Sequence, residues 1–105
     1  MSAVVVIARL RPRAEAESSV EAVLHDLVTS VHQEPGCTRY APHRDGATGE
    51  VVFVERYVDA AAYEVHRNGA ALAQHGARLA ATFEDDVRVT VLHPLLDGSG
   101  PKGEL

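Results

Sequence analysis

The residues best suited to chemistry are two histidines on predicted helices in the second half of the chain. His66 and Tyr63 lie three positions apart on the first of these helices, so they share one face. His75 lies on the second, at the edge of an apolar stripe that includes Leu72 and Phe83. An imidazole that faces a pocket can act as a general base or as a hydrogen-bond donor at neutral pH. We therefore predict His66 and His75 as candidate catalytic bases, while the position of His75 is also typical of a histidine packed at a helix boundary.

The other histidines and the cysteine do not predict a metal centre. His25 and His32 lie seven residues apart on the long first helix and are interpreted as solvated side chains. His66 and His75 could converge, but zinc usually takes three or four protein ligands. Cys37 is the single cysteine of the chain, which excludes an internal disulfide and a thiolate-rich site. We interpret it as a small buried apolar residue.

Two charged residues, Glu55 and Arg56, stand in the middle of an apolar strand. Charges in such a position are expected to be paired or to face an interface. One interpretation is an ion pair across strands or across a dimer, with Arg9 and Arg88 as partners. The other is an anchor for a polar group of a substrate.

The elements that position these residues follow from periodicity and from turn residues. Apolar and β-branched runs predict strands over residues 3–10, 37–44, 50–58 and 87–93. Apolar residues at intervals of three, four and seven predict helices over residues 13–34, 60–67 and 70–83. Pro35 and Gly36 end the first helix, and Pro42 predicts that the second strand is an edge strand or ends early. The order β-α-β-β-α-β is the ferredoxin-like α+β arrangement, one antiparallel sheet with its helices on one face.

The apolar runs of the strands also predict a partner. Residues 4–7 and residues 51–54 are consecutive apolar positions, whereas a sheet covered on one face is expected to alternate. We therefore predict a two-fold homodimer through the sheet face, in which two sheets pack into a dimeric α+β barrel. The alternative is a monomer with an exposed apolar sheet, which would tend to aggregate.

Composition bounds the class of protein. The 105 residues are 46% hydrophobic and carry a formal net charge of −5, which is typical of one globular domain. An acidic balance disfavours a nucleic-acid partner, because phosphate contacts need clustered Lys and Arg. Since we find neither a membrane-length apolar run nor a signal sequence, we expect no membrane partner and a cytoplasmic protein. We assign residues 1–96 to a single domain and residues 97–105 to a flexible or swapped C-terminal tail.

A set of residues in the middle of the chain carries a family resemblance. The set is Glu34-Pro35-Gly36-Cys37, Tyr40, His43-Arg44-Asp45, Phe53, Glu55-Arg56-Tyr57, Asp59 and His66. Over about residues 3–95 the chain resembles the antibiotic biosynthesis monooxygenase domain family, small dimeric α+β barrels. The resemblance implies a monooxygenase without cofactor or metal that oxidises a quinol or a polycyclic phenol with dioxygen. We expect His66 and His75 to act in catalysis, and the substrate to contact Tyr40, Tyr57, Tyr63, Leu72 and Phe83.

Two alternatives stay open. The first is a dimeric binding or accessory module of the same fold without turnover. The second is a heme-binding or heme-degrading protein, since one branch with a similar layout uses an asparagine, a tryptophan and a heme-ligating histidine. At those places this chain has Ala8, Val65 and His75, and it contains no tryptophan. Quinol-oxidising relatives often carry a second histidine where this chain has Ala71.

Overall fold

One antiparallel sheet and the helices on one of its faces make up the fold. The computed structural model describes residues 2–96 and 100–105. Within these residues the strands are β1 (Val4–Leu10), β2 (Cys37–Arg44), β3 (Val51–Tyr57) and β4 (Arg88–Leu92), and the α-helices are α1 (Val20–Val31), α2 (Ala60–Arg67) and α3 (Ala70–Thr82). The sheet order is β2-β3-β1-β4, with every neighbouring pair antiparallel. The predicted ferredoxin-like α+β fold is confirmed, and the strand that contains Pro42 lies at an edge, as expected.

The first helix is shorter than the sequence predicted. In place of one helix over residues 13–34, a 3-10 segment, Ala14–Ser19, precedes α1. None of the residues of this segment is buried. The segment therefore lacks the apolar packing that stabilises most α-helices in proteins, and it forms a short 3-10 turn instead. The α-helix begins at Val20, the first residue of the stretch that is fully buried.

The core lies between the helices and one face of the sheet. Residues that alternate along β1 and β3 point to this side, namely Val4, Val6, Ala8, Leu10, Val51, Phe53, Glu55 and Tyr57. The apolar stripe of α1 packs over them with Val20, Val23, Leu27 and Val31. Because a strand repeats every two residues, this alternation places the charged Glu55 inside with its apolar neighbours.

The opposite face of the sheet carries apolar side chains, and none of the helices in residues 2–96 and 100–105 covers them. Val52 and Val54 on β3 are half-buried, whereas their neighbours Val51 and Phe53 are buried. Burial therefore alternates along β3, with every second residue buried, although the consecutive apolar residues of this strand did not predict it. On β4 all five residues are exposed.

The ends of the chain are described in part. Met1 and residues 97–99, the start of the predicted tail, lie outside the described residues. Further along, a carboxylate oxygen of Glu104 lies 3.8 Å from the guanidinium of Arg56. In the part of the chain that the structure describes, no helix has the length and apolar character needed to cross a membrane.

Candidate active site

A cavity of about 490 Å³ lies between the helix-facing side of the sheet and the helices. This volume falls within the range of about 300–1,000 Å³ that small-molecule sites occupy. Apolar side chains from the sheet, from α1 and α3, and from the segment between α3 and β4 form most of its wall, namely Val6, Ala8, Leu10, Leu27, Phe53, Leu72, Leu79, Phe83, Val87 and Val89. Tyr40, Glu55, Tyr63 and His66 meet at one end, where β2, β3 and α2 come together, and Glu84 and Asp85 line the cavity between α3 and β4. The mostly apolar lining suits an apolar molecule with a polar group at the end where Glu55 and His66 lie.

The carboxyl group of Glu55 is the main titratable group of the polar end. Its residue is only 4% exposed, and the hydroxyl of Tyr57 donates a hydrogen bond of 2.6 Å to Oε1. Burial raises the pKa of Glu55 to about 7, with the nearby carboxylate of Glu34 adding to the effect, although the bond from Tyr57 lowers it. A carboxyl with this pKa can accept or release a proton at neutral pH.

His66 lies beside Glu55 and is held from its other side by Glu34. Its Nδ1 is 2.9 Å from Oε1 of Glu34, and its Nε2 is 4.0 Å from Oε1 of Glu55. The ring is buried, with 4% of the side chain exposed. Of the imidazole nitrogens, Nε2 is therefore the one nearer to the cavity carboxyl.

The short helix α2 places His66, and local contacts fix where this helix begins. The Asp59 carboxylate caps it by accepting a hydrogen bond of 2.8 Å from the backbone N–H of Ala62. Gly36 packs so closely on α2 that a Cβ at that position would lie 2.5 Å from Cβ of Ala62. The helix α1 ends at Val31, before Pro35 and Gly36, so the predicted helix end at the Pro-Gly turn is wrong. The turn instead admits α2 close to the start of β2.

Tyrosine rings surround His66 and Glu55. The ring centroid of Tyr40 lies 5.2 Å from that of His66 and 4.8 Å from that of Phe53. The ring of Tyr57 lies 5.3 Å from His66 and 5.2 Å from Tyr63. Burial strongly raises the pKa of the Tyr40 and Tyr57 hydroxyls, so both stay neutral at physiological pH.

The structure brings most of the predicted site residues together. Tyr40, Tyr63, His66, Leu72 and Phe83 line the cavity. Tyr57 is not among the lining residues, but its hydroxyl reaches the site through Glu55.

His75 is not brought to this cavity. It is buried where α3 packs on α1, and its Nε2 lies 2.9 Å from the Ser30 hydroxyl. This is the packed position at a helix boundary that the sequence left open as an alternative.

Glu55 is the titratable group that sequence reasoning missed as a catalytic candidate. The pattern that could have identified it is the spacing of two residues to Phe53 and Tyr57, which places all three on the buried face. The predicted pairing of Glu55 with Arg9 or Arg88 is wrong. Both arginines lie on the outer side of the sheet and contact the buried Glu50 instead.

The remaining sulfur and metal candidates contribute little to the site. Burial raises the pKa of Cys37 to about 11, so the half-buried thiol stays protonated at neutral pH. Among residues 2–96 and 100–105, no group of three or more His, Cys, Asp or Glu side chains is arranged to hold a metal ion.

The chain is similar to a known protein family and to several known proteins. A family model for antibiotic biosynthesis monooxygenase matches residues 3–78. Rv0793 of Mycobacterium tuberculosis, whose name gives monooxygenase as a provisional activity, is 36% identical over 98 residues, which cover 93% of this chain and 97% of Rv0793. The solved structure of Rv0793 matches with a TM-score of 0.82.

Two further solved structures are similar. One, described as an antibiotic biosynthesis monooxygenase, is 28% identical with a TM-score of 0.76, and the match covers 85% of this chain and 95% of the other. The second comes from Caulobacter crescentus and carries the same description provisionally. It is 25% identical with a TM-score of 0.79, and the match covers 87% and 88% of the two chains.

Proposed function

Because this chain belongs to the antibiotic biosynthesis monooxygenase family, we propose that it is a cofactor-independent monooxygenase that oxidises a quinol or a polycyclic phenol with dioxygen. The observation that carries the proposal is the buried carboxyl of Glu55 beside His66 at one end of an apolar cavity. An electron-rich ring supplies the electrons for dioxygen itself. The protein therefore has to bind the ring, exclude water and remove one proton.

The proposed reaction begins when Glu55 takes the proton of a ring hydroxyl. The resulting anion transfers electrons to dioxygen, and one oxygen atom becomes bonded to a ring carbon. The second oxygen atom leaves as water with two hydrogens from the substrate. A hydroquinone thus becomes a hydroxyquinone, and the four electrons that dioxygen gains come from the substrate.

The cavity supports this assignment through its division into an apolar part and a polar end. An aromatic ring would lie between the side chains of α3, such as Leu72 and Leu79, and those of the sheet. Its hydroxyl would then face Glu55 and His66, while the neutral hydroxyl of Tyr57 stabilises the ionised form of Glu55 by hydrogen bonding. The site therefore favours a ring that carries an acidic O–H group at one end.

Oxygen uptake with a panel of one-ring to three-ring hydroquinones tests the proposal. We expect uptake above the spontaneous rate, and a fall in kcat of at least about tenfold in Glu55→Gln and in His66→Asn. Glu15 and His43 are exposed. Glu15→Gln and His43→Asn are therefore the matched controls, and we expect them to leave the rate of oxygen uptake unchanged. Absence of uptake with every hydroquinone would favour a binding module without turnover. Equal rates in all four variants would reject Glu55 and His66 as the reacting groups.

We also propose that the chain forms a homodimer through the outer face of the sheet. Val52, Val54 and Leu92 lie on this face without a helix over them, and a second copy would remove them from water. Sedimentation is expected to give twice the chain mass of 11.3 kDa, and Val52→Asp is expected to give the single chain. Val65→Asp on the exposed side of α2 is the control, and a wild-type monomer at micromolar concentration would contradict the proposal. The proposed partners are thus an aromatic substrate, dioxygen and a second copy, and the proposed location is the cytoplasm.

A further inference from the structure

Three side chains form a line from the cavity to the surface. Glu55 stands at the inner end and His66 in the middle. Glu34 stands at the outer end, in the turn between α1 and β2, where 17% of its side chain is exposed. The contact between Glu34 and His66 is the shorter of the two in this line, at 2.9 Å against 4.0 Å. Glu34 has no role in the proposed removal of a proton by Glu55.

We propose that Glu34 is a positioning residue that holds neutral His66 in the tautomer with its proton on Nδ1, so that the lone pair of Nε2 faces Glu55. An ionised carboxylate can only accept hydrogen bonds, so the nitrogen bonded to Glu34 is the donor. A neutral imidazole carries one N–H, and the other nitrogen is then a free acceptor. The structure places that second nitrogen on the side of Glu55.

The proposed tautomer gives His66 a task in the proton transfer. Once Glu55 has taken a proton from the substrate, Nε2 can receive it, which leaves Glu55 ionised and His66 as an imidazolium next to Glu34. One proton moves from an oxygen to a nitrogen in this step, and no electron is transferred. The distance of 4.0 Å between Nε2 and Oε1 has to shorten by about 1 Å for this transfer. Contacts of this kind commonly tighten when substrate binds.

The groups that face this line come from each element packed around it. Tyr57 lies on the strand of Glu55, Tyr63 lies on α2 with His66, and Tyr40 and Cys37 lie on β2. The hydroxyl of Tyr57 is committed to Glu55. The thiol of Cys37 donates to the carbonyl of Arg39. Glu34 is thus the carboxylate that the structure shows in direct contact with Nδ1 of His66.

The tautomer can be measured without any substrate, by nitrogen-15 NMR of the imidazole rings at a pH where they are neutral. In the wild type we expect the proton of His66 on Nδ1, and in Glu34→Ala we expect it on Nε2. The exposed His25 and His43 serve as internal references in the same spectra, because His25 contacts Asp26 and His43 contacts the carbonyl of Ala41. A proton on Nε2 of His66 in the wild type would overturn the assignment, even if Glu34→Ala failed to fold.

The kinetic part rests on the proposed function and separates positioning from a structural role. With a hydroquinone that the wild type oxidises, Glu34→Ala is expected to lower kcat by at least about tenfold with little change in KM. Glu21→Ala, which makes the same change at an exposed position of α1, is the matched control. A wild-type kcat in Glu34→Ala would overturn the positioning role. If no hydroquinone is oxidised, the proposed function fails, and the NMR result alone decides the assignment of Glu34.

Discussion

Replacing Glu55 with Gln should change how the stability of the protein depends on pH. Burial, the main cause, raises the pKa of this carboxyl from its ordinary value of 4.5 to about 7 in the folded chain. Between these two pH values the folded state holds a proton that the unfolded state has released. The folded state then binds more protons, so the stability contributed by this group falls as the pH rises from about 4.5 to about 7.

The size of the effect follows from the same two pKa values. Their difference corresponds to about 3 kcal/mol of free energy of unfolding, fully lost above pH 7. A glutamine has nearly the shape of the protonated side chain but does not ionise. Glu55→Gln should therefore resemble the wild type in stability near pH 4.5 and exceed it by about 3 kcal/mol at pH 8.

Urea unfolding followed by circular dichroism measures this difference. Both proteins are unfolded with urea at the same protein concentration and at several pH values from 4.5 to 8.5. At each pH the free energy of unfolding of the wild type is subtracted from that of the variant. The subtraction removes the contributions of the other titratable groups that the two chains share. Glu15→Gln, which changes an exposed carboxyl, is the control and should show a flat difference. A flat difference for Glu55→Gln would refute the reasoning that burial dominates at this site.

Three further substitutions test the contacts around the site. Tyr57→Phe removes the hydroxyl bonded to the carboxylate, so the pKa of Glu55 should rise further in a carbon-13 NMR titration, and an unchanged value would show that the bond has no influence. Asp59→Ala removes the cap of α2 and should cost about 1 kcal/mol in urea unfolding, whereas Asp59→Asn should cost less. Gly36→Ala should cost about 1–3 kcal/mol because its Cβ would overlap α2. Gly46→Ala, which meets nothing within 4 Å, is the control, and equal stability of the two alanine variants would contradict the close packing.

The order of the elements could be predicted from the sequence because each one has its own local pattern. The Pro-Gly turn after the first helix and the edge position of the strand with Pro42 depend on backbone chemistry that single residues determine. The length of the first helix could not be predicted in the same way. Residues 14–19 fit a helical pattern by type, but whether they pack on the sheet depends on its curvature and on α3.

The sequence predicted those parts of the candidate site in which the residues lie on one face of the same helix or strand. Tyr63 and His66 share a helix face, and both line the cavity. The two histidines on adjacent helices could not be told apart, because the rotation of α3 against α1 sends His75 to Ser30 and away from the cavity. The raised pKa of Glu55 was not predictable from type and spacing, since it depends on how deeply the carboxyl is buried and on the nearby carboxylate of Glu34.

The division of the cavity between two parts of the chain has an evolutionary consequence. The side chains proposed for proton chemistry, Glu34, Glu55 and His66, lie within residues 34–66, while one apolar wall, formed by Leu72 and Leu79, lies on the helix α3 that follows. Changes in that helix would alter which rings fit without touching the groups that move protons. Members of such a lineage could thus diversify in what they accept while inheriting one unchanged reaction.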